Sequence, residues 1–177
     1  MNKVVIERFT PYLFFLLLLT SFIVGSRVEC YPFTSPIIAE SSVLFFFKVI
    51  LQNSSFFLFL LMGGFFINIT TVCLLIYNGF SWGKSFRDVY CNAGLEKTIM
   101  LVLPHIFIEV FWILLICQIS VRISFQFLDL LNDKISSSDL LESFKKQNMM
   151  SILYAYMLLI FSAGIECFLT PLLYQMR

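Results

Sequence analysis

Charged side chains are scarce in this sequence of 177 residues. Asp, Glu, Lys and Arg together make up 13% of the chain, about half of the share found in ordinary soluble domains. Apolar residues reach 59%, above the roughly 45–50% that is typical of soluble proteins. This composition excludes a soluble globular domain and predicts that hydrocarbon surrounds most of the protein surface.

Signatures of catalysis and of nucleic-acid binding are also missing. The chain has a single histidine, and it contains no nucleophile elbow, no His-Glu-x-x-His zinc motif, no paired-glutamate motif of intramembrane proteases and no phosphate-binding loop. Its net charge of +1 comes without the cluster of basic residues that a phosphate backbone requires. We therefore expect a protein that is not an enzyme, uses no cofactor and binds no nucleic acid.

Long uncharged runs separate the few charged residues. A helix needs about 20 mostly apolar residues to span a bilayer, and four segments approach or exceed that length, at about 10–25, 56–77, 99–119 and 149–170. The first segment also resembles a secretory signal peptide, but a retained anchor fits better because the rest of the chain is itself apolar. The predicted fold is an all-α, polytopic transmembrane bundle, a single integral membrane domain over 1–177 with four or five spanning helices.

Two further segments are predicted to lie at the membrane surface or to re-enter the bilayer. Residues 37–51 are apolar nearly all round and precede a polar stretch, whereas residues 120–147 alternate apolar and charged side chains. Within the second segment, the spacing of Asp139 and Glu142 predicts a capping box for the last helix. Lys and Arg residues are equally numerous on the two predicted sides, so the charge rule leaves the orientation open.

Small and polar residues mark the second predicted span as a packing face. Gly63 and Gly64 allow close approach of another helix, and Asn68 can form hydrogen bonds across a helix interface.

The segment that follows this span is predicted to be a turn-rich loop. Asn78-Gly79 and Gly83 favour turn conformations, and Trp82 is typical of the membrane interface.

The five cysteines form no recognisable metal or redox motif. They include no Cys-x-x-Cys pair, and Cys73, Cys117 and Cys167 fall within predicted spans. Packing as small apolar side chains is therefore the favoured interpretation.

The third predicted span contains both an imidazole and a carboxyl group. His105 and Glu109 are four residues apart and share one helix face, while Glu166 lies in the last span. An acidic residue in a transmembrane helix costs about 2.5–3.5 kcal/mol on insertion scales, so both acids should face the bundle interior or water. Pro104 should kink the helix. The cluster could be a hydrogen-bonded polar plug, a proton or ion relay, or a metal site.

Three segments, which follow one another along the chain as in the family, resemble the stage II sporulation protein M family of bacterial membrane proteins. "LPHIFIEVFWILL" resembles its Pro-His-Gly-x-x-Glu segment, "ILQNSSFFLFLLMGGFFINITTVCLLIYNGFSWG" its asparagine and glycine-rich region, and "IECFLTP" its closing motif. The likeness covers about 50–118 and 160–171, and Ile106 stands where the family usually has glycine. The matching positions are Asn53, Asn78, Gly79, Gly83, Pro104, His105, Glu109, Glu166, Thr170 and Pro171.

The resemblance implies a non-enzymatic, multi-pass protein of a bacterial cell membrane. Some members hold cell-wall hydrolases during sporulation engulfment, and others accompany bacteriocin export or self-immunity systems with ATP-driven transporters. Because this chain is short and has few charges for recruiting wall enzymes, we expect the export or immunity role, with an ATP-binding transporter subunit, other membrane proteins or further copies of itself as partners. A hydrolase scaffold and an ion or proton pathway through the bundle remain the alternatives.

Overall fold

A computed structural model describes residues 3–30 and 43–175, and helices account for nearly all of them. The elements are α1 (Lys3–Gly25), α2 (Val43–Met62), a 3-10 turn (Gly63–Phe66), α3 (Ile69–Leu131), α4 (Ser137–Gly164), a π turn (Ile165–Leu169) and α5 (Thr170–Gln175). Four helical stretches are long and apolar enough to cross a membrane: Val5–Gly25, Val43–Phe66, Ile69–Leu131 and Ser137–Leu172. The predicted all-α helical bundle is confirmed.

Helix α3 folds back on itself at Gly94. Its 63 residues would extend about 95 Å if straight, about three times the thickness of the bilayer hydrocarbon. At Gly94 the backbone leaves the helical region, with φ 80° and ψ 170°, a conformation that glycine adopts without a Cβ clash. The hydroxyl groups of Thr71 and Ser120 consequently lie 3.1 Å apart. The first half of α3 (69–93) and its second half (95–131) are therefore antiparallel.

The bundle has two ends that its connections define. At one end, a disulfide joins Cys30, after α1, to Cys91, just before the Gly94 break; we call this the disulfide end. At the other, Arg122 lies 3.9 Å from Glu7, near the start of α1; we call this the N-terminal end. The disulfide was not predicted, because the spacing of its two cysteines matches no motif.

The predicted span over 56–77 is wrong in its boundaries. The helix ends at Met62, and the chain then passes through the 3-10 turn to Ile67 and Asn68, which have left-handed backbone angles (φ 52° and 61°) that no α-helix contains. Residues 43–51, predicted to be interfacial, form the first part of α2, and 37–42 lie outside the described residues.

The predicted surface segment over 120–147 is divided between two helices. Residues 120–131 continue α3, with Ser120, Ser124 and Gln126 buried in the bundle. α4 begins after Ser136, whose hydroxyl accepts a hydrogen bond from the backbone N–H of Asp139 at 3.2 Å. The capping box therefore uses Ser136 and Asp139, one turn earlier than the predicted pair Asp139 and Glu142.

The predicted loop around Asn78 is instead helical, and its glycines pack against α1. A Cβ atom at Gly79 would lie 2.7 Å from the carbonyl oxygen of Leu18, and one at Gly83 would lie 2.8 Å from the backbone nitrogen of Ser26. These glycines thus let the backbones of α1 and the first half of α3 come into direct contact, as small residues do between membrane helices.

The core occupies the middle of the bundle. Trp112, Ile113 and Ile116 of the second half of α3 are at most 1% exposed. They pack with Phe57 of α2 and Leu159 of α4 in one apolar cluster, which holds the helices around the site described next.

Candidate functional site

A cavity of about 560 Å³ lies between α2, the two halves of α3 and the π turn. It combines amide, carboxyl, imidazole and hydroxyl groups with apolar walls. Its lining includes seven of the residues that match the family pattern: Asn53, Asn78, His105, Glu109, Glu166, Thr170 and Pro171. Residues that are distant in sequence thus meet at one polar site within the apolar bundle.

Glu109 is the most enclosed acidic residue of this cavity, with 7% of its surface exposed. Its carboxyl group lies in hydrogen-bonding contact with the side chains of Trp82 and Asn53, which belong to the first half of α3 and to α2. Both partners carry N–H groups that donate to a carboxyl oxygen. Glu109 therefore connects three helical segments.

His105 lines the same cavity one turn from Glu109. The carbonyl of Leu101 lies near its ring, yet Nδ1 is enclosed without a partner at hydrogen-bond geometry. In the polar-plug interpretation the imidazole would donate to Glu109; the hydrogen-bonding contacts of that carboxyl group in the structure are with Trp82 and Asn53.

Glu166 reaches the cavity from the π turn after α4. Its carboxyl group is close enough to Glu109 for the two to interact electrostatically. The π turn has one extra residue relative to an α-helical turn, a feature that is frequent at functional sites. It precedes Pro171, which has no N–H for the carbonyl of Cys167, its α-helical acceptor.

Metal binding by the three side chains finds no support in this arrangement. Within 3–30 and 43–175, no group of three or more His, Cys, Asp or Glu residues is placed to hold a metal ion. His105, Glu109 and Glu166 share a cavity but are not arranged as a common ligand set.

Gly63, Gly64 and Asn68 lie outside the cavity, near the N-terminal end. The Asn68 side chain donates to the Ser124 hydroxyl at 2.7 Å and accepts from the Ser120 hydroxyl at 2.9 Å. A Cβ atom at Gly64 would lie 2.5 Å from the carbonyl oxygen of Ser120. Gly64 and Asn68 therefore join the turn between α2 and α3 to the second half of α3, whereas Gly63 packs against Thr71 in the first half.

Pro104 lies within the second half of α3 and does not divide the helix. Gly94 is the residue of α3 with non-helical backbone angles. The large change of direction in this part of the chain therefore occurs ten residues before the proline.

Sequence reasoning missed Trp82 as a site residue. We assigned it to a loop at the membrane interface, whereas it lines the cavity and contacts Glu109. Trp82 is four residues after Asn78, so a helical interpretation of this segment would have placed both side chains on one face.

The cavity extends toward the disulfide end and is closed toward the N-terminal end. Val89 and Leu101, both within two helical turns of Gly94, belong to its lining. Beyond Glu109, Trp112 fills the bundle. Its ring centroid lies 6.2 Å from the ring centroid of Phe56 and 6.0 Å from that of Phe57. The packed aromatic rings therefore separate the cavity from the N-terminal end.

Comparison with known proteins identifies one family. The model of stage II sporulation protein M matches residues 10–171, which include all four apolar helical stretches in large part. No curated protein and no solved structure matches the chain. With the apolar bundle and the family match in agreement, the chain is an integral membrane protein that belongs to the stage II sporulation protein M family.

Proposed function

We propose that the protein is a non-enzymatic membrane subunit of a bacterial peptide export or self-immunity system, and that it works with an ATP-binding transporter subunit in the cell membrane. The observation that carries this proposal is that nearly all of 3–30 and 43–175 is helical. Within these residues, the connection from α3 to α4 is only Asn132 to Ser136. We infer that a partner binds mainly to helix faces of this part of the chain.

One such face lies beside the π turn. An apolar groove of about 470 Å³ runs along the end of α4, lined by Ile160, Phe161, Gly164, Ile165, Phe168, Leu169 and Leu172. Phe161 is 60% exposed, and Gly164 leaves room for close approach of another helix. A helix of a membrane partner, including a second copy of this chain, fits such a groove.

Affinity purification from cells that contain the whole operon tests this proposal. The tagged chain in mild detergent should retain the ATP-binding subunit. Gly164→Leu, which fills the groove, should lower that yield at least fivefold, whereas Leu153→Phe on another exposed part of α4 should not. Recovery of the chain alone would contradict the proposal.

A scaffold for cell-wall hydrolases is the weaker alternative. In that role, partners would bind through 26–55 or 120–148 on the outer face. Residues 26–30 lie at the disulfide end and 120–131 approach the N-terminal end, so the two segments face opposite sides. Labelling of single cysteines that placed residue 27 in the cytoplasm would remove the first segment from this role.

An ion or proton pathway is favoured by Glu109 and Glu166, since intramembrane acids often mark such pathways. The closure of the cavity by Trp112 means that transport would need a rearrangement of the core. Ion or proton flux is measured in proteoliposomes that contain the protein. If the Glu109→Gln variant has the same flux as the unaltered chain, this role is excluded.

A further inference from the structure

Two carboxyl groups face the cavity, and the described part of the chain supplies no cationic partner for them. Glu109 and Glu166 both belong to the lining, and within 3–30 and 43–175 no Lys or Arg does. An acidic side chain at membrane depth is stabilised when it pairs with a group of opposite charge. The cavity therefore provides an uncompensated site for a positive charge.

Unsatisfied polar atoms in the same lining also indicate a missing ligand. Thr170 Oγ1 is enclosed and has no hydrogen-bond partner, and His105 Nδ1 has only the backbone carbonyl of Leu101 near it, outside hydrogen-bond geometry. Buried polar atoms are nearly always paired, so such exceptions call for a bound group or water. These two atoms lie on the second half of α3 and on α5, apart from the Glu109 contacts with Trp82 and Asn53.

The size and walls of the cavity favour an organic cation over a metal ion. Its volume of about 560 Å³ falls within the range of small-molecule sites, about 300–1,000 Å³. Trp82 and Phe45 add aromatic surface, and aromatic faces attract ammonium and guanidinium groups. The described residues provide no set of three metal ligands.

The disulfide identifies the side from which a ligand enters. Disulfides persist outside the cytoplasm and are rare within it. Cys30–Cys91 lies at the end toward which the cavity extends, and the opposite end is closed by the core around Trp112. Entry is therefore from the non-cytoplasmic side.

We propose that this cavity, with Glu109 and Glu166 as its acidic residues, binds the protonated amine or guanidinium group of a ligand that enters from the outer side of the membrane. The ammonium group can belong to a soluble amine or to an aminophospholipid headgroup. Binding at this site is independent of the export partner proposed above, so the two proposals can fail separately.

Calorimetric titration of the full chain in phosphatidylglycerol nanodiscs tests the site. n-Butylammonium and n-butylguanidinium should bind saturably at constant ionic strength, and n-butanol should not. Affinity should fall at least tenfold in Glu109→Gln and in Glu166→Gln. Glu142→Gln, on the exposed start of α4 near the N-terminal end, should bind as the unaltered chain does. Lack of saturable binding by the folded chain, or equal binding by all three variants, would overturn the proposal.

Folding of each variant is checked by thermal unfolding. If Glu109→Gln is unfolded, Glu166→Gln decides the outcome, because Glu166 is less enclosed than Glu109. Two further nanodisc preparations with the same fraction of phosphatidylglycerol, one completed with phosphatidylethanolamine and one with phosphatidylcholine, distinguish the two sources at equal surface charge. Weaker apparent binding of butylammonium in the phosphatidylethanolamine preparation indicates a lipid headgroup that competes for the site, and equal binding in both indicates a soluble amine.

Cysteine labelling tests the side of entry. Ser85 lines the cavity, so Ser85→Cys in a Cys73→Ser background provides a reporter. A membrane-impermeant maleimide added to intact cells should label this cysteine, and n-butylammonium should slow the reaction. Labelling only after permeabilisation would place the opening on the cytoplasmic side and refute the proposed route.

Discussion

Gly79 of α3 lies directly against the backbone of Leu18 in α1. A Cβ atom at position 79 would be 2.7 Å from the Leu18 carbonyl oxygen and 2.9 Å from Cβ of Ser21. Because the nearest atom is backbone, the two helices must separate if a side chain is added. We expect Gly79→Ala to lower the free energy of unfolding by about 1–3 kcal/mol, the usual cost of overpacking, as measured by thermal or denaturant unfolding in detergent.

Gly164→Ala is the matched control for this substitution. Its backbone is α-helical, and an added Cβ would meet nothing closer than Phe46 Cε2 at 4.0 Å. Alanine is favoured over glycine in a helix, so this variant should be as stable as the unaltered chain or slightly more so. Equal destabilisation at both positions would contradict close packing of α1 on α3.

The Asn68 side chain should contribute measurable coupling across the bundle. It bonds the hydroxyls of Ser120 and Ser124 on the second half of α3. Asn68→Gly keeps a residue that tolerates the left-handed backbone while it removes both hydrogen bonds. A double-mutant cycle with Ser124→Ala should give a coupling energy of about 0.6 kcal/mol, and at most about 1.7 kcal/mol, as for other hydrogen bonds between membrane helices. A coupling energy near zero would show that this contact contributes nothing to stability.

The class of fold could be predicted from the sequence because the amino-acid composition determines whether water or lipid surrounds the chain. The scarcity of charge and the long apolar runs required helices in lipid, whatever their arrangement. The individual boundaries were harder, since 49–83 carries no charged residue and is largely apolar, so periodicity cannot locate a break there. Gly63, Ile67 and Asn68 make that break through left-handed angles and contacts with α3, which depend on partners distant in sequence.

Site residues were partly predictable for a similar reason. Glu109 and Glu166 were identifiable because acids in lipid must face inward, and both line the cavity. The hydrogen-bond partners of Glu109 could not be predicted, since sequence spacing favours His105, four residues away on the same helix face. Trp82 and Asn53 reach the carboxyl group only because Gly94 reverses the direction of α3.

Reduction of the disulfide should destabilise the protein. Cys30 and Cys91 close a loop with a sequence separation of 61, and a native disulfide typically contributes about 2–4 kcal/mol by restricting the unfolded chain. The reductant dithiothreitol should therefore lower the melting temperature of the unaltered chain. It should not affect the double variant Cys30→Ser/Cys91→Ser, which should already melt at the lower temperature. Unchanged mobility on non-reducing gels after alkylation would show that the bond does not form in cells.

The start of α4 should become less stable in acid. The Ser136 hydroxyl donates to Oδ2 of Asp139 at 2.6 Å, and the Ser136 backbone N–H donates to the same oxygen at 3.0 Å. These hydrogen bonds lower the pKa of Asp139. A carboxyl group with a lowered pKa stabilises the folded state above its ordinary pKa, and this stabilisation is lost as the pH falls through the lowered value.

Hydrogen exchange at the backbone amides of 137–140 measures this effect. Exchange should speed up as the pH falls below about 4, relative to amides of the exposed α1 surface and after correction for intrinsic rates. Asp139→Asn should have the faster relative exchange at all pH values. Identical pH profiles for both proteins would exclude a role of the ionised carboxyl group in the cap.

The π turn at Ile165–Leu169 places one extra residue in the part of the chain that brings Glu166 to the cavity. A π turn holds one residue more than an α-helical turn, so the chain gains a residue there without gaining a turn. Deleting a single residue within 165–169 would remove this extra residue and restore an α-helical turn, so the helix before the turn and Thr170 and Pro171 after it would keep their relative orientation. The change in shape would then be confined to the turn that carries Glu166. In this family, alignments with a one-residue gap at this turn should therefore mark proteins whose pocket differs in shape at the position of Glu166.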